Sequence, residues 1–391
     1  MENIGWLNKC LIFNMSKEKK LLRLFFVGDF YSKNVERINF SSDLERIIDT
    51  SNIVFCNFEA PIKTDNIAAQ KVGPSLFQSV NAPEFLEKKG FNVIGLANNH
   101  IADFGQKGIL KTMESFQHSL LLGVGTFDQA YSLKKVEIEG TTIGFLAFSH
   151  YEFGILDNRV DNKTLGSAWI NHPCIDDLIR ESVKKVDILI LIAHAGVEDI
   201  DLPLPEWRER YKTFIHLGVD AVIGMHPHVP QGWELIDGKP IFYSLGNFYF
   251  DMHSDNPQFY NGLGVLLDYK NNNIVDINVL NLLNDNGLVK IDERPEVNEY
   301  IEGLSKCLSH ELYMNSLNDL ILDLWNNVYE KYLFIGTNGL TMKYGMKFFL
   351  KRLYGTLFRK KGKPLFLLNI FRCESHRWLI QRALNLIAET K

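Results

Sequence analysis

Carboxylate, carboxamide and imidazole side chains recur in this sequence wherever a short apolar run ends. Leu22–Val27 is followed by Gly28-Asp29, Ile53–Phe58 by Glu59, and Val93–Ala97 by Asn98-Asn99-His100, with Asp103 and Gly105 close behind. Ile188–Ala193 leads into His194, Ala221–Gly224 into His226-Pro227-His228, and Pro240–Leu245 into Gly246-Asn247. Carboxylate and carboxamide oxygens with neutral imidazole nitrogens suit manganese, iron or zinc, and the lack of cysteine among them disfavours a thiolate-type structural site. Asp29, Glu59, Asn99, His194, His226 and His228 supply about the number of ligands that one or two divalent ions need, with a carboxylate able to bridge. Two ions roughly 3.5–4 Å apart activate a water and clamp both oxygens of an in-line displacement at phosphorus. Taken singly, each piece has a plainer reading: Gly-Asp is a common turn, Asn favours turns, and a lone His after an apolar strand is more often structural. The joint occurrence, each at a strand end, outweighs those readings.

The elements that would position these groups are legible from the same pattern. The apolar runs are short, rich in β-branched and aromatic residues, and bounded by Gly, Asp, Asn or His, which predicts buried strands. Helix-like stretches at Ala82–Lys89, Gly105–His118, Asp176–Lys185 and Pro205–Leu217 lie between them. Such alternation predicts an α/β protein with helices covering sheets. In an open α/β sheet, ligands bind beyond the carboxyl ends of the strands, so the six strand ends are expected to share one crevice. Leu263–Leu267 and Ile274–Val279 flank Asn271-Asn272-Asn273 and predict a hairpin. Past about Leu283 the strand-like runs stop and Glu299–Glu330 shows helical spacing. The expected division is 20–285 for the α/β part and 286–391 for a helical, basic C-terminal region.

Several short motifs appear in order: Gly28-Asp29, Asn57-Phe58-Glu59, Ala97-Asn98-Asn99-His100 with Asp103 and Gly105, Phe127-Asp128-Gln129-Ala130, and His194-Ala195-Gly196 with Glu198. Gly218-Val219-Asp220, Gly224-Met225-His226-Pro227-His228 and Tyr243-Ser244-Leu245-Gly246-Asn247-Phe248 follow. Over about residues 22 to 252 this set resembles the bacterial capsule-synthesis family of the poly-γ-glutamate type, often called CapA-like. That family is similar to calcineurin-like metallophosphoesterases, and the resemblance implies a four-layer α-β-β-α sandwich with a two-metal centre. It implies that Asp29 and His228 hold a first metal, and that Asn99, His194 and His226 hold a second. Glu59 stands where an aspartate usually bridges the two, and Tyr31 stands where the superfamily has a histidine ligand. His100 matches the general acid, Asp103 is expected to orient it, and Asn98 and Asn247 are expected to support the site from behind.

Composition bounds the rest. With 391 residues, 46% hydrophobic and 23% charged, the chain is long enough for a sizeable core and unlike a disordered or low-complexity protein. The five cysteines, at 10, 56, 174, 307 and 373, show no CxxC pair, which speaks against a disulfide scaffold. No apolar run reaches the length of a transmembrane helix, and the N-terminus does not read as a signal peptide; the broken apolar stretches and the cluster Lys17–Lys20 lead to an expected cytoplasmic location, with room for a peripheral place at the inner membrane surface. Net charge is −5, yet residues 331–391 carry thirteen Lys and Arg against two Glu, a net +11 that leaves −16 on the remainder. In 343–363, Met346, Leu350, Leu353 and Leu357 recur at helical spacing among Lys343, Lys347, Lys351, Arg352, Arg359, Lys360, Lys361 and Lys363, the composition of a basic amphipathic helix on an anionic bilayer. The plainer reading packs that stripe inward. No nucleic-acid module accompanies the charge, so no nucleic-acid partner is expected. The expected function is a metal-dependent, phosphoesterase-like hydrolase acting on a phosphorylated or polyanionic substrate in capsule or surface-polymer biosynthesis. Two alternatives stand beside it: a non-catalytic polymer-binding or assembly factor, and a metal-dependent γ-glutamyl amide hydrolase or transferase.

Overall fold

Strand β1 (Leu22–Tyr31) is apolar on both faces because both are covered. Leu24 and Phe26 enter one core, and Phe25 and Val27 enter another. The computed structural model describes residues 20–159, 164–309, 311–357 and 363–389. β1 is the hub of a sheet of nine strands among the described residues. It runs parallel to β2 (Ile53–Phe58), which in turn pairs in parallel with β3 (Val93–Gly95). A second sheet is built on three parallel strands, β4 (Thr141–Ser149), β5 (Ile188–His194) and β6 (Ala221–Met225), with β7 (Lys239–Phe242) beside β6. Their register places His194 opposite Ser149 on one side and Met225 on the other.

The two sheets pack face to face. Leu24, Phe26 and Phe55 of the first share one hydrophobic core with Phe145, Ile190 and Val222 of the second. Helices α1 (Ser42–Thr50), α2 (Ala82–Lys88) and α3 (Gly105–Ser115) cover the outer face of the first sheet through Leu44, Ile48, Leu86 and Ile109. Helices α4 (Ile175–Val183) and α5 (Pro205–His216) cover the second through Ile179, Trp207, Tyr211 and Phe214. The architecture is the four-layer α-β-β-α sandwich with a helical C-terminal region.

Two details differ from the sequence pattern. Pro240–Leu245 reads as one strand followed by a turn, but β7 stops at Phe242, and Asn247 opens a separate strand, β8 (Asn247–Phe250), parallel to β1. Gly246, at φ +63°, makes the break, so the chain crosses from one sheet to the other there. The hairpin is longer than its apolar cores suggest, joining β9 (Asn261–Lys270) to β10 (Asn273–Asp285), and a strand, β11 (Leu288–Ile291), follows the turn at Asn286-Gly287. Beyond it come α6 (Pro295–Leu308), α7 (Tyr313–Leu324), α8 (Glu330–Thr337), α9 (Met346–Leu357), α10 (Pro364–Arg372) and α11 (Glu374–Glu389).

Helix α9 does not bury its apolar stripe. Met346, Leu350 and Leu357 are 56%, 53% and 70% exposed, whereas Arg352 is turned inward and donates to the Ile335 carbonyl at 3.3 Å. Arg359, Lys360 and Lys361 lie outside the described residues, as do Lys17–Lys19 and the apolar stretches before them. Among the described residues, no helix is long and apolar enough to cross a membrane.

Candidate metal centre

All six residues expected to hold metal reach one buried site, because parallel strands end on the same edge of each sheet. β1 brings Asp29, β2 brings Asn57 and then Glu59, and the turn after β3 brings Asn98, Asn99 and His100. From the facing sheet, β5 ends in His194, and the turn after β6 carries His226 and His228. The backbones of β1 and the Gly246 turn approach closely: Asp29 N–H donates to the Gly246 carbonyl at 3.0 Å. A Cβ on Gly28 would lie 1.8 Å from that oxygen, so no other residue fits there.

The tightest grouping surrounds His194 Nε2. Asn99 Oδ1 lies 3.1 Å from it, His226 Nδ1 3.1 Å, and Glu59 Oε2 3.5 Å. Donors at the corners of a tetrahedron with bonds of about 2.1 Å are about 3.4 Å apart. Glu59 Oε1 is buried without a hydrogen-bond partner, so its lone pairs are open to a cation. The donor set, Glu, Asn and two His, therefore fits one divalent ion well.

The other half of the centre is built differently. Asn57 Nδ2 donates to Asp29 Oδ1 at 2.7 Å and to Glu59 Oε2 at 2.6 Å, so an amide NH₂ bridges the two carboxylates. His228 Nδ1 lies 3.5 Å from Asp29 Oδ2. Tyr31 packs its ring on Phe250 with centroids 4.9 Å apart and adds no ligand atom. Asn247 fixes the His228 ring. Its amide nitrogen donates to the His228 and Phe259 carbonyls at 3.1 and 2.9 Å, so its Oδ1, 3.0 Å from His228 Nδ1, accepts and leaves Nε2 free to ligate. Asn98 donates to the Phe58 carbonyl at 2.9 Å and accepts from His100 N–H at 3.2 Å.

Burial and charge set the protonation preferences. Burial, reinforced by Glu59, raises Asp29 above the usual carboxylate range. Burial also opposes ionisation of Glu59, but the charge and hydrogen bond of His194, with His100 and His228, outweigh it and hold Glu59 below that range. His194 and His228 are desolvated, yet Glu59 and Asp29 raise both. Burial, with His150 and His194 nearby, pushes His226 well down, so its imidazole is neutral and ready to ligate.

His100 stands beside the centre and is held by Asp103, whose Oδ2 lies 2.7 Å from His100 Nδ1 and also accepts Leu76 N–H at 2.7 Å. Lys71, from the loop before α2, contacts the Asp103 carboxylate and lies 3.0 Å from His100 Nδ1. The sequence pattern singled out neither Lys71 nor the bridging role of Asn57. Asn57 had one usable signal, since it precedes Glu59 by two positions and shares its face of the strand. Lys71 comes from an irregular loop, which carries no periodicity. A cavity of about 130 Å³ adjoins the centre, with Lys71, Asn99 and His100 on one wall and Tyr329, Asn369 and His376 of the C-terminal helices on the other. A larger groove of about 1120 Å³ around Asp251–Asp255 contains none of the centre's residues.

Fold and site together define an α/β sandwich protein with a metal-type ligand set gathered at its strand ends. Residues 23–252 match the model of the bacterial capsule synthesis protein PGA_cap, and the chain belongs to that family. It is 26% identical over 257 residues to the capsule biosynthesis protein CapA of Bacillus anthracis, covering 60% of this chain and 61% of that protein. It is 29% identical over 247 residues to the PGA biosynthesis protein CapA of Bacillus subtilis strain 168, covering 59% of this chain and 64% of that one. The chain thus spans about three-fifths of the length of the curated relatives it matches. Among solved structures, a hypothetical protein from Thermus thermophilus aligns with 68% of this chain and 100% of its own, at a TM-score of 0.44 and 14% identity.

Proposed function

We propose that the chain is a metal-dependent hydrolase of the phosphoesterase kind, acting on a phosphorylated or polyanionic substrate in the making of a capsule or other surface polymer. The observation that carries this reading is the grouping of Glu59 Oε2, Asn99 Oδ1 and His226 Nδ1 about His194 Nε2, with His100 alongside. A divalent ion held by Glu59, Asn99, His194 and His226, whether manganese, iron or zinc, supplies Lewis acidity toward a phosphoryl oxygen and lowers the pKa of water. Asn57 keeps the Asp29 and Glu59 carboxylates in place, and Asn247 keeps the His228 ring in the tautomer that presents Nε2. His100, with Nδ1 turned to Asp103, directs its other nitrogen away from that carboxylate and gives a proton to the leaving oxygen. Lys71 offsets the buried Asp103 charge and adds a positive group to the cavity wall. The capsule and PGA biosynthesis named for the relatives supports a surface-polymer substrate. We propose further that the exposed apolar stripe of α9, with Lys343, Lys347, Lys351 and Lys363, rests on an anionic bilayer surface.

The test is metal content after purification without chelator, followed by phosphomonoester, phosphodiester and γ-glutamyl substrates. Metal with phosphoester turnover supports the reading. Cleavage confined to γ-glutamyl substrates assigns amide chemistry instead. A folded protein that takes up no manganese, iron or zinc, and cleaves nothing, overturns it in favour of an assembly role.

A further inference from the structure

A second group of metal-type side chains lies where the C-terminal helices meet the sandwich. His150 directly follows β4 and is fully buried, Glu152 is two residues on, and Cys373, 1% exposed, forms the elbow between α10 and α11. One ligand atom from each of the three lies within 4.8 Å of the other two. We infer that His150, Glu152 and Cys373 bind a divalent ion of the zinc class at a second position, adjoining the strand-end centre through the His150–His226 ring contact at 4.4 Å between centroids, which pins the α10–α11 elbow to the end of β4.

The surrounding hydrogen bonds hold the imidazole in place and allow this. Trp207 Nε1 can only donate, and it does so to Ser375 Oγ at 3.1 Å. The same hydroxyl lies 3.0 Å from His150 Nδ1 and can either accept an N–H from it or donate its own proton to it. His150 Nε2 lies 3.3 Å from Glu152 Oε2; with the ring proton on Nδ1 its lone pair is open to a cation beside that carboxylate, and with the proton on Nε2 a metal displaces it on binding. Thiolate, imidazole and carboxylate together select zinc or a similar ion, whereas calcium and magnesium take oxygen. An open coordination position has a natural supply: Glu152 also lines the 130 Å³ cavity, together with Glu198 and His376. On ligation the Cys373 S–H proton leaves to solvent and the sulfur binds as thiolate. The elbow is already held in register, since Tyr151 N–H donates to Glu374 Oε2 at 2.7 Å and Glu374 N–H to the Tyr151 carbonyl at 3.2 Å. Cys373 lies outside the family match at 23–252, so this site joins a family strand to the chain's own C-terminal region.

Cobalt(II) distinguishes the two centres, because only a cysteine-containing site gives a thiolate-to-cobalt charge-transfer band in the near ultraviolet. The full-length chain saturated with cobalt should show that band, Glu59→Gln should retain it, and Cys373→Ser should lose it together with about one equivalent of bound metal. Absence of the band in the folded, cobalt-saturated chain, or its survival in Cys373→Ser, overturns the inference. Should Cys373→Ser fail to fold, alkylation of the unaltered chain decides the matter. Zinc should slow modification of the Cys373 peptide at least tenfold, and chelation should restore it. Equal rates with and without zinc overturn the inference.

Discussion

His100 shows how much of the proposed chemistry hangs on one side chain and its neighbour. Asp103 holds Nδ1 at 2.7 Å, and Asp103 is itself held by Leu76 N–H and by Lys71. His100→Asn should leave metal content unchanged and lower turnover by about 10²- to 10⁴-fold, checked by elemental analysis beside steady-state rates. Loss of metal with activity would make His100 a ligand instead. Proton competition gives a second outcome at the centre. His194 is raised from the ordinary imidazole value by Glu59 and Asp29 despite burial, so it keeps its proton to higher pH than a free imidazole does, and an incoming metal must displace that proton. Metal affinity should therefore fall as pH is lowered from about 8 to 6, with protons released on binding, as calorimetry in buffers of different ionisation enthalpy will show. Affinity constant over that range would contradict the proposed ligand role of His194. At this scale much of the centre was legible in the sequence, because ligand-type residues stood directly after apolar runs. The bridging role of Asn57 was hidden because its partners are set by strand register, and Lys71 because a loop delivers it.

Among the elements, the approach of β1 to the Gly246 turn decides whether the two halves of the centre meet. Gly28→Ala would put a methyl group where the Gly246 carbonyl stands. Overpacking typically costs about 1–3 kcal/mol, and the backbone is the obstacle here, so the cost should be at the upper end or beyond. Urea unfolding should show this, with weakened metal uptake as Asp29 and Asn247 separate. An unchanged midpoint would mean that the strands part freely. The turn after β6 stores strain at the same place: His226 and His228 have φ of 102° and 60°, and such residues typically cost about 1–3 kcal/mol each. The sequence marked a break at Gly246-Asn247 but not β8, because Phe248, Tyr249 and Phe250 resume an apolar run with nothing local to say that the chain changes sheets. Helix α9 yields the opposite lesson: its amphipathic pattern was plain, but only the fold shows Met346, Leu350 and Leu357 facing outward. If that face meets a bilayer, the chain should co-sediment with anionic vesicles at 0.1 M salt and much less at 1 M, where the Debye length shortens from about 10 Å to about 3 Å. Equal binding to neutral vesicles would remove the electrostatic argument.

Across the whole molecule, the −16 and +11 segments differ in composition but share a hydrophobic core. Ile370, Leu379 and Ala383 of the basic segment belong to the same apolar cluster as Ile190 and Val222 of the second sheet. Composition reports element type, which changes near residue 285, and charge, which changes near residue 331. It is blind to which surfaces pack, so the docking of the C-terminal helices beside the candidate metal centre was not legible. The joint itself is polar and specific. Glu374, 3% exposed, accepts Tyr151 N–H at 2.7 Å, Trp169 Nε1–H at 3.0 Å and Asn171 Nδ2–H at 3.1 Å. Trp207 and Trp378 pack with centroids 4.7 Å apart, and Arg382 reaches Glu206 at 2.9 Å. Removing the Glu374 carboxylate leaves three part-buried donors without their acceptor, and each such group costs about 1–3 kcal/mol. Glu374→Ala should therefore lower stability by about 3 kcal/mol or more. Because the core is continuous, the loss should appear as one transition moved to lower urea, with helical signal and near-ultraviolet aromatic signal changing together. If the helical signal melts first in the variant and the aromatic signal of the sandwich stays in place, the C-terminal helices are a separate cooperative unit. The wall that Tyr329, Asn369 and His376 give to the cavity would then be a movable one.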